Sequence, residues 1–543
     1  MRYPCADAME PAGIHSIEVV FLLLLLFVAG LAALAKRFQI PYPIVLVIGG
    51  LILSFFPRAP HIALNPDIVF LVVLPPLLFS AAFVTSWREF RYNLVSISML
   101  AFGLVFFTVW GVASISHWIL PGFDFRLGLV LGAVVCTTDA IAVTAIAERL
   151  GLPKRITAVI EGESLVNDAS GLLALQYATV LLVAGYTPSP AERAGRLIFL
   201  IVSAMVIGLL VGKLIYYMIS KIDEPSIEVT ISLIAPYFAY LLAQSVRSSG
   251  VLATIVCGFY LGHKSSLYLS PGARLKGNAV WDTLTFILNG FVFILIGLQL
   301  PYVLEGIHEY SRGRLIELGL LFSLVVILLR MIWVYPGAWV SNFIRRRLFH
   351  QAEPFPNPRA VLVVGWTGMR GVVALAAAIS LPETLKDGSP FPQRNLIIFV
   401  TFCVIFVTLV IQGLTLPPLI RRLGLAGSDG ENIEEVQARR GLIEAALAYL
   451  ETARESDGTE FLPVYDELIR LQRLRLSRFE EAEAAGADYR PEQYDRYLAL
   501  SRKIRALQRG ALLNLRNNNQ IGDETVRKLE YELDLVEAQY WTT

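Results

Sequence analysis

The sequence predicts an all-α membrane protein: about thirteen transmembrane helices in two inverted six-helix repeats, helices five and twelve broken, then a helical cytoplasmic tail. Three observations carry this expectation. Of 543 residues, 55% are apolar and only 17% charged, against about 45–50% and about 25% in soluble domains. Long uncharged runs such as 19–35 and 199–212 approach the length a bilayer demands. Charge is also unevenly divided, with 16 Lys/Arg and 23 Asp/Glu in residues 427–543 against 30 and 22 in the 426 before them. Domains are therefore expected at 1–422, within the membrane, and 423–543, in water. Soluble, secreted, collagen-like and disordered chains are excluded.

With about 20 apolar residues per crossing, the spans fall near 16–35, 41–56, 67–85, 93–120, 125–149, 156–184, 196–220, 226–246, 250–262, 280–303, 314–344, 359–381 and 394–420. The ninth is short. The first is read as a helix rather than a signal peptide, because Asp7 and Glu10 beside Arg2 leave no basic leading segment. Alternate loops, starting with Lys36 and Arg37, carry fifteen Lys/Arg; the other set carries nine, among them Arg58 and Lys386. The richer set is cytoplasmic by the positive-inside rule. That puts the N-terminus outside and the tail inside, with Arg421 and Arg422 in agreement. Cys5, Cys136, Cys257 and Cys403 have no neighbouring partners and read as small hydrophobes.

Five charges lie too deep in the spans for snorkelling: Asp139, Glu163, Asp168, Arg330 and Arg370. Each costs at least about 2.5–3.5 kcal/mol at mid-bilayer. Purely structural ion pairs would explain most of them, but three carboxylates face two permanently charged guanidiniums. The carboxylate left over must take up a proton or a mobile cation, because an isolated ionised carboxylate is prohibitively expensive in low dielectric. A group neutralised by either one is the minimum hardware of an exchanger. Glu163 and Asn167 share one helix face, and Asp168 is turned about 100° from Asn167. Asn167 can orient the Asp168 carboxylate without adding a titrating charge. The hydroxyls of Thr138 and Ser164 offer oxygen ligands for a hard monovalent ion.

The stretch Gly365-Trp366-Thr367-Gly368-Met369-Arg370-Gly371 puts three glycines, a threonine and an arginine in mid-span. Glycine there can simply serve close packing. An arginine among glycines favours an unwound segment, tolerated at membrane depth only inside protein or beside a cavity. Span five has its own polar interruption at Thr137, Thr138 and Asp139, seven spans before span twelve. Spans one to six and eight to thirteen then form inverted repeats, an arrangement found in transporters.

At this point a resemblance enters. Leu74-Pro75-Pro76-Leu77-Leu78-Phe79, Thr138-Asp139, Gly162-Glu163-Ser164-Leu165-Val166-Asn167-Asp168-Ala169, Ser249-Gly250-Val251-Leu252-Ala253 and Gly368-Met369-Arg370-Gly371 stand in one order over some three hundred residues. Together they resemble the sodium/proton exchangers of the monovalent cation:proton antiporter-1 family, in its bacterial branch. The resemblance implies thirteen helices and a homodimer in the bacterial inner (plasma) membrane, serving pH homeostasis. It implies Na⁺/H⁺ antiport without a cofactor, with a core domain moving to alternate access. Asp168 would bind Na⁺ or the proton, with Asn167 as companion and Thr138, Asp139 and Ser164 beside them. Glu163 would pair with Arg370, and Arg330 would be a second buried charge. Thr137, Gly365, Thr367, Gly368 and Gly371 would form the broken-helix backbone. An Asn-Asp pair, where a sister family has Asp-Asp, implies electroneutral one-for-one exchange. Ser80 stands where relatives often carry an acid, which leaves K⁺ and Li⁺ open as alternatives to Na⁺.

The tail shows helical patterning near 432–456, 461–485, 491–516 and 523–539, with Tyr465, Leu468, Ile469, Leu476 and Phe479 on one stripe. A bundle or dimer contact explains it, and a regulatory role is a second reading. No enzyme is expected, because the six histidines form no ligand spacing and no phosphate loop stands out. No nucleic-acid partner is expected, only membrane lipid, the alkali cation and H⁺. A cation channel is the competing reading, since it would use the same buried carboxylates without coupling.

Overall fold

The computed structural model describes residues 12–56, 65–120, 122–184, 190–305, 307, 310–348, 350, 355–385, 389–427, 433–457, 459–485, 492–518 and 520–538. Cys5, Arg58 and Lys386 lie outside them. Two compact units emerge, Met1–Ser428 and Asp429–Thr543. Both are helical, and among the described residues the sole β-type pairing is an isolated bridge between Thr384 and Pro390.

Among the described residues, nine helices are long and apolar enough to cross a bilayer. That is four fewer than the thirteen crossings expected from hydropathy. The expected spans at 41–56 and 250–262 become Tyr42–Ser54, of 13 residues, and Gly250–Tyr268, which carries a polar last turn. The expected spans at 125–149 and 359–381 each divide into two short helices, Phe125–Val135 with Ile141–Leu150 and Pro358–Trp366 with Val372–Ile379. A hydropathy window sees through such interruptions because the flanking residues remain apolar.

Burial ranks the long helices. Only 17% of the most apolar window of Val19–Phe38 is buried, against 72% for Arg394–Arg422, so the first helix lies outermost and the last lies in the middle. Phe21, Leu26, Phe106, Trp110, Ile198 and Phe199 point outward, where lipid rather than water would cover them.

Backbone irregularities follow local chemistry. Pro75 and Pro76 lack N–H groups, so the turn before them widens to a π-helix at Val69–Val73. Tyr237 donates to the carbonyl of Val72, 3.0 Å away. A second wide turn, Met99–Leu104, has Trp333 Nε1 on the Met99 carbonyl at 3.1 Å and Ser170 Oγ on that of Ala101 at 2.6 Å. Carbonyls leaving the regular ladder need such partners wherever water is scarce.

The C-terminal unit contains Ile433–Ser456, Leu462–Ala485, Glu492–Asn517 and Asp523–Ala538, close to the four expected segments. Ion pairs Arg454–Asp466 (2.9 Å) and Arg473–Glu451 (2.8 Å) link its first two helices, and Leu447 and Ile469 are buried.

Candidate functional site

Three elements meet in the interior of the first unit: the long helix Lys154–Ala184 and the two interruptions, residues 136–140 and 367–371. The interruptions are joined backbone to backbone, Asp139 N donating to Met369 O at 2.7 Å. Their crossing leaves two helix ends with negative partial charge (Val135 and Trp366) and two with positive (Ile141 and Val372).

Charged side chains answer three of those four ends. Arg370 Nε donates to Val135 O at 3.1 Å and Nη1 to Gly368 O, so this guanidinium caps the first helix end. Arg330, from the helix Arg312–Leu348, donates to Gly365 O (3.1 Å) and Val364 O (3.0 Å), capping the second. Asp139 Oδ1 accepts from Ile141 N at 2.8 Å, placing a carboxylate at a positive end. Each match satisfies a backbone group that the helix leaves orphaned and puts charge where the helix dipole favours it.

Arg330 also makes a two-pronged ion pair with Glu163, Nη2 to Oε2 at 2.8 Å and Nη1 to Oε1. This corrects the expected Glu163–Arg370 pair. Arg370 lies past the bend, where its side chain turns to the Val135 carbonyl, while Arg330 reaches in between the carboxylate and the end of Pro358–Trp366. Both members of the Glu163–Arg330 pair are about 1% exposed.

Thr138 Oγ1 donates to Glu163 Oε1 at 3.3 Å and accepts from Asn167 Nδ2 at 3.1 Å, and Asn167 Nδ2 also reaches Cys136 O at 3.3 Å. Ser164 Oγ donates to Thr138 O (3.0 Å) and accepts from Ala140 N (3.3 Å). Asn167 and Ser164 therefore pin residues 136–140 to the long helix. Asn167 is expected to orient Asp168; its Nδ2 donates to Thr138 and Cys136 rather than to that carboxylate. Its Oδ1 and the Thr137 hydroxyl are buried with no hydrogen-bond partner among the described residues.

Asp168 differs from all of these. It is 7% exposed, and its carboxylate makes no hydrogen bond or ion pair among the described residues. Its charged neighbour is Asp139, a like charge. Thr367 caps Val364 O with its hydroxyl at 2.9 Å. Gly371 and Gly368 are required by close approach. A Cβ on Gly371 would lie 2.7 Å from Asp139 Cγ, and one on Gly368 would lie 2.6 Å from Arg330 Nε. Gly365 packs on Met331 and supplies a carbonyl to Arg330.

Two participants were not singled out from the sequence. Met369 supplies the carbonyl that joins the interruptions, and Thr408 Oγ1 accepts from Arg370 N at 3.1 Å. Backbone carbonyls leave no mark in a sequence. Thr408 stands with Thr401 as a polar residue in the otherwise apolar run 396–411, a signal that was available.

The sequence profile described as sodium/hydrogen exchanger, transmembrane, matches residues 22–422. The chain belongs to the sodium/hydrogen exchanger family. An uncharacterized Na⁺/H⁺ exchanger of Mycobacterium tuberculosis is 34% identical over 538 residues, covering 98% of this chain and 97% of the relative. A sodium, potassium, lithium and rubidium/H⁺ antiporter of Bacillus subtilis is 30% identical, covering 95% of this chain and 77% of the relative. The fold is similar to that of the sodium proton antiporter MjNhaP1 of Methanocaldococcus jannaschii, with a TM-score of 0.61 at 21% identity, covering 76% of this chain and 98% of that one. The exchanger is thus a multi-span membrane transporter of the monovalent cation:proton antiporter family and not an enzyme. Members of this family exchange cations for protons across membranes.

Proposed function

We propose that this chain exchanges Na⁺ for H⁺ across the bacterial plasma membrane, one for one and without net charge movement, with the two ions competing for Asp168. The observation that carries the reading is the isolation of that carboxylate. Glu163 has Arg330, Asp139 has Ile141 N, and Arg370 has two carbonyls, whereas Asp168 has no neutralising group among the described residues. A buried carboxylate in that position is stable with a proton or with a bound cation, and the two states exclude each other. Oxygen atoms of Thr137, Thr138, Asn167 and Asp139 are the nearby candidates to complete a cation's shell, and alkali cations favour such hard donors.

In this reading the protein has thirteen crossings in two inverted repeats, the interruptions at 136–140 and 367–371 belonging to crossings five and twelve. Binding at interrupted helices between repeats suits alternating access. The protein forms a homodimer, with its N-terminus outside and its tail in the cytoplasm. K⁺ and Li⁺ are alternative substrates; the Bacillus subtilis relative is named for several alkali cations.

Everted vesicles holding a pH gradient test the proposal. Adding Na⁺ dissipates the gradient with wild-type protein and not with Asp168→Ala. Raising Na⁺ shifts the proton titration of transport to lower pH, because bound Na⁺ holds the carboxylate deprotonated and more acid is needed to displace it. A channel would instead pass current and leave cation and proton movements uncoupled.

A further inference from the structure

Away from the crossing, a cavity of about 190 Å³ runs beside the helix Arg312–Leu348. Its depth is apolar, formed by Met99, Leu100, Val334, Ala338, Val361 and Val364. Its other end is polar, with Asn93, Arg155 and Arg345. The two guanidiniums each lie 5.7 Å from the centre of the Tyr92 ring, so two positive charges flank one aromatic. Arg345 Nη2 donates to Ser96 Oγ at 2.8 Å. Asn93 is wholly buried, and its Nδ2 donates to Glu89 O at 3.0 Å. Its Oδ1 accepts nothing among the described residues. No acidic side chain lines the cavity among the described residues.

The shape sets the chemistry of an occupant. From Arg345 to Val334 is eleven residues of one helix, about 16 Å. A ligand filling that length needs a charged end and an apolar end. The helix is of membrane length, Arg312–Arg347, with its arginines at the terminus where a bilayer's head groups would lie. The resident amphiphile at such a place is lipid.

We infer that this cavity seats one acyl chain of a phospholipid whose head group joins a phosphodiester to a hydrogen-bond donor, such as glycerol or ethanolamine. The phosphate meets Arg155 and Arg345 through charge-assisted hydrogen bonds. The head-group donor meets Asn93 Oδ1, and the chain lies against Val334 and Val364. Val364 O accepts from Arg330 and from Thr367, so the seated chain also braces the helix end that holds Arg330.

The full-length protein in detergent, stripped by repeated washing, tests this. Thermal stability is followed on adding phosphatidylglycerol, phosphatidylcholine, the water-soluble glycerophosphoglycerol head group or oleate, and retained phospholipid is measured by mass spectrometry. Phosphatidylglycerol is expected to stabilise, with its half-saturation concentration rising about fivefold in Arg155→Gln and again in Arg345→Gln. Asn93→Leu should erase the preference over phosphatidylcholine, and Ala338→Trp should abolish retention while Na⁺-driven proton movement persists. If Ala338→Trp does not fold, the two arginine variants decide by themselves. Equal stabilisation by phosphatidylcholine, by the soluble head group or by oleate overturns the proposal. So does unchanged affinity in both arginine variants.

Discussion

Glu163 and Asp168 lie five residues apart on one helix, and both are buried, at 1% and 7% exposure. Their surroundings are opposite. Glu163 is held by both arms of Arg330 and by the Thr138 hydroxyl, whereas among the described residues the charged neighbour of Asp168 is the like-charged Asp139. Burial alone therefore does not separate these two carboxylates. The separation comes from coordination: one acid is paired in the folded chain, and the other has no neutralising partner among the described residues.

The sharpest way to break that contrast is to remove each acid. Asp168→Ala should leave a folded protein with cation-dependent proton movement at background, read in everted vesicles. Wild-type rates in that variant would transfer the site elsewhere. Glu163→Ala or Arg330→Ala should instead lower folded yield, since breaking a buried pair costs about 3–5 kcal/mol. Replacing both with apolar residues of similar volume should recover most of the yield by fluorescence-detected size exclusion, which neither single change would do. Arg370→Ala is expected to lower yield as well, because the carbonyls of Val135 and Gly368 lose their donor.

A smaller effect is expected at the seam between the two acids. Asn167→Leu removes the hydrogen bonds to Thr138 and Cys136, each contributing about 0.5–1.5 kcal/mol. The loosened 136–140 segment should raise the apparent KM for Na⁺ more than it lowers maximal rate, measured by gradient dissipation over a cation series. The smallest effect belongs to the tail, where Arg473→Ala should change stability by about 1 kcal/mol or less, as exposed pairs do. Deleting 427–543 tests regulation directly: a shifted pH profile supports it, and an unchanged profile removes the idea.

Much of the site was legible because charge in an apolar run is conspicuous. Asp139, Glu163, Asp168, Arg330 and Arg370 announce themselves by their cost, and the glycines around Arg370 announce a place where helix would be difficult. The pairing was not legible. Which arginine meets Glu163 depends on the direction in which two side chains leave their helices at a crossing, and spacing along the chain carries no such information. The hydrogen bonds of the Asn167 amide nitrogen were not legible for a related reason. Its sequence neighbour is Asp168, but a helix turns adjacent residues about 100° apart, and its amide found the opposite segment. Of the four long apolar helices that hydropathy over-counted, two are broken over a few residues that a window average cannot register, one is short and one ends in a polar turn.

Composition by itself determined that this chain lives in a bilayer, that its charged portion forms a separate helical unit, and that a handful of buried ionisable residues need neutralising. Those conclusions follow from transfer energies, which depend on residue type and run length alone. Tertiary structure decided which charges satisfy helix ends, which satisfy each other and which acid has no counterpart among the described residues. Those outcomes depend on where two interrupted segments cross, and only the packed chain brings Asp139 to Met369 and Arg330 to Glu163.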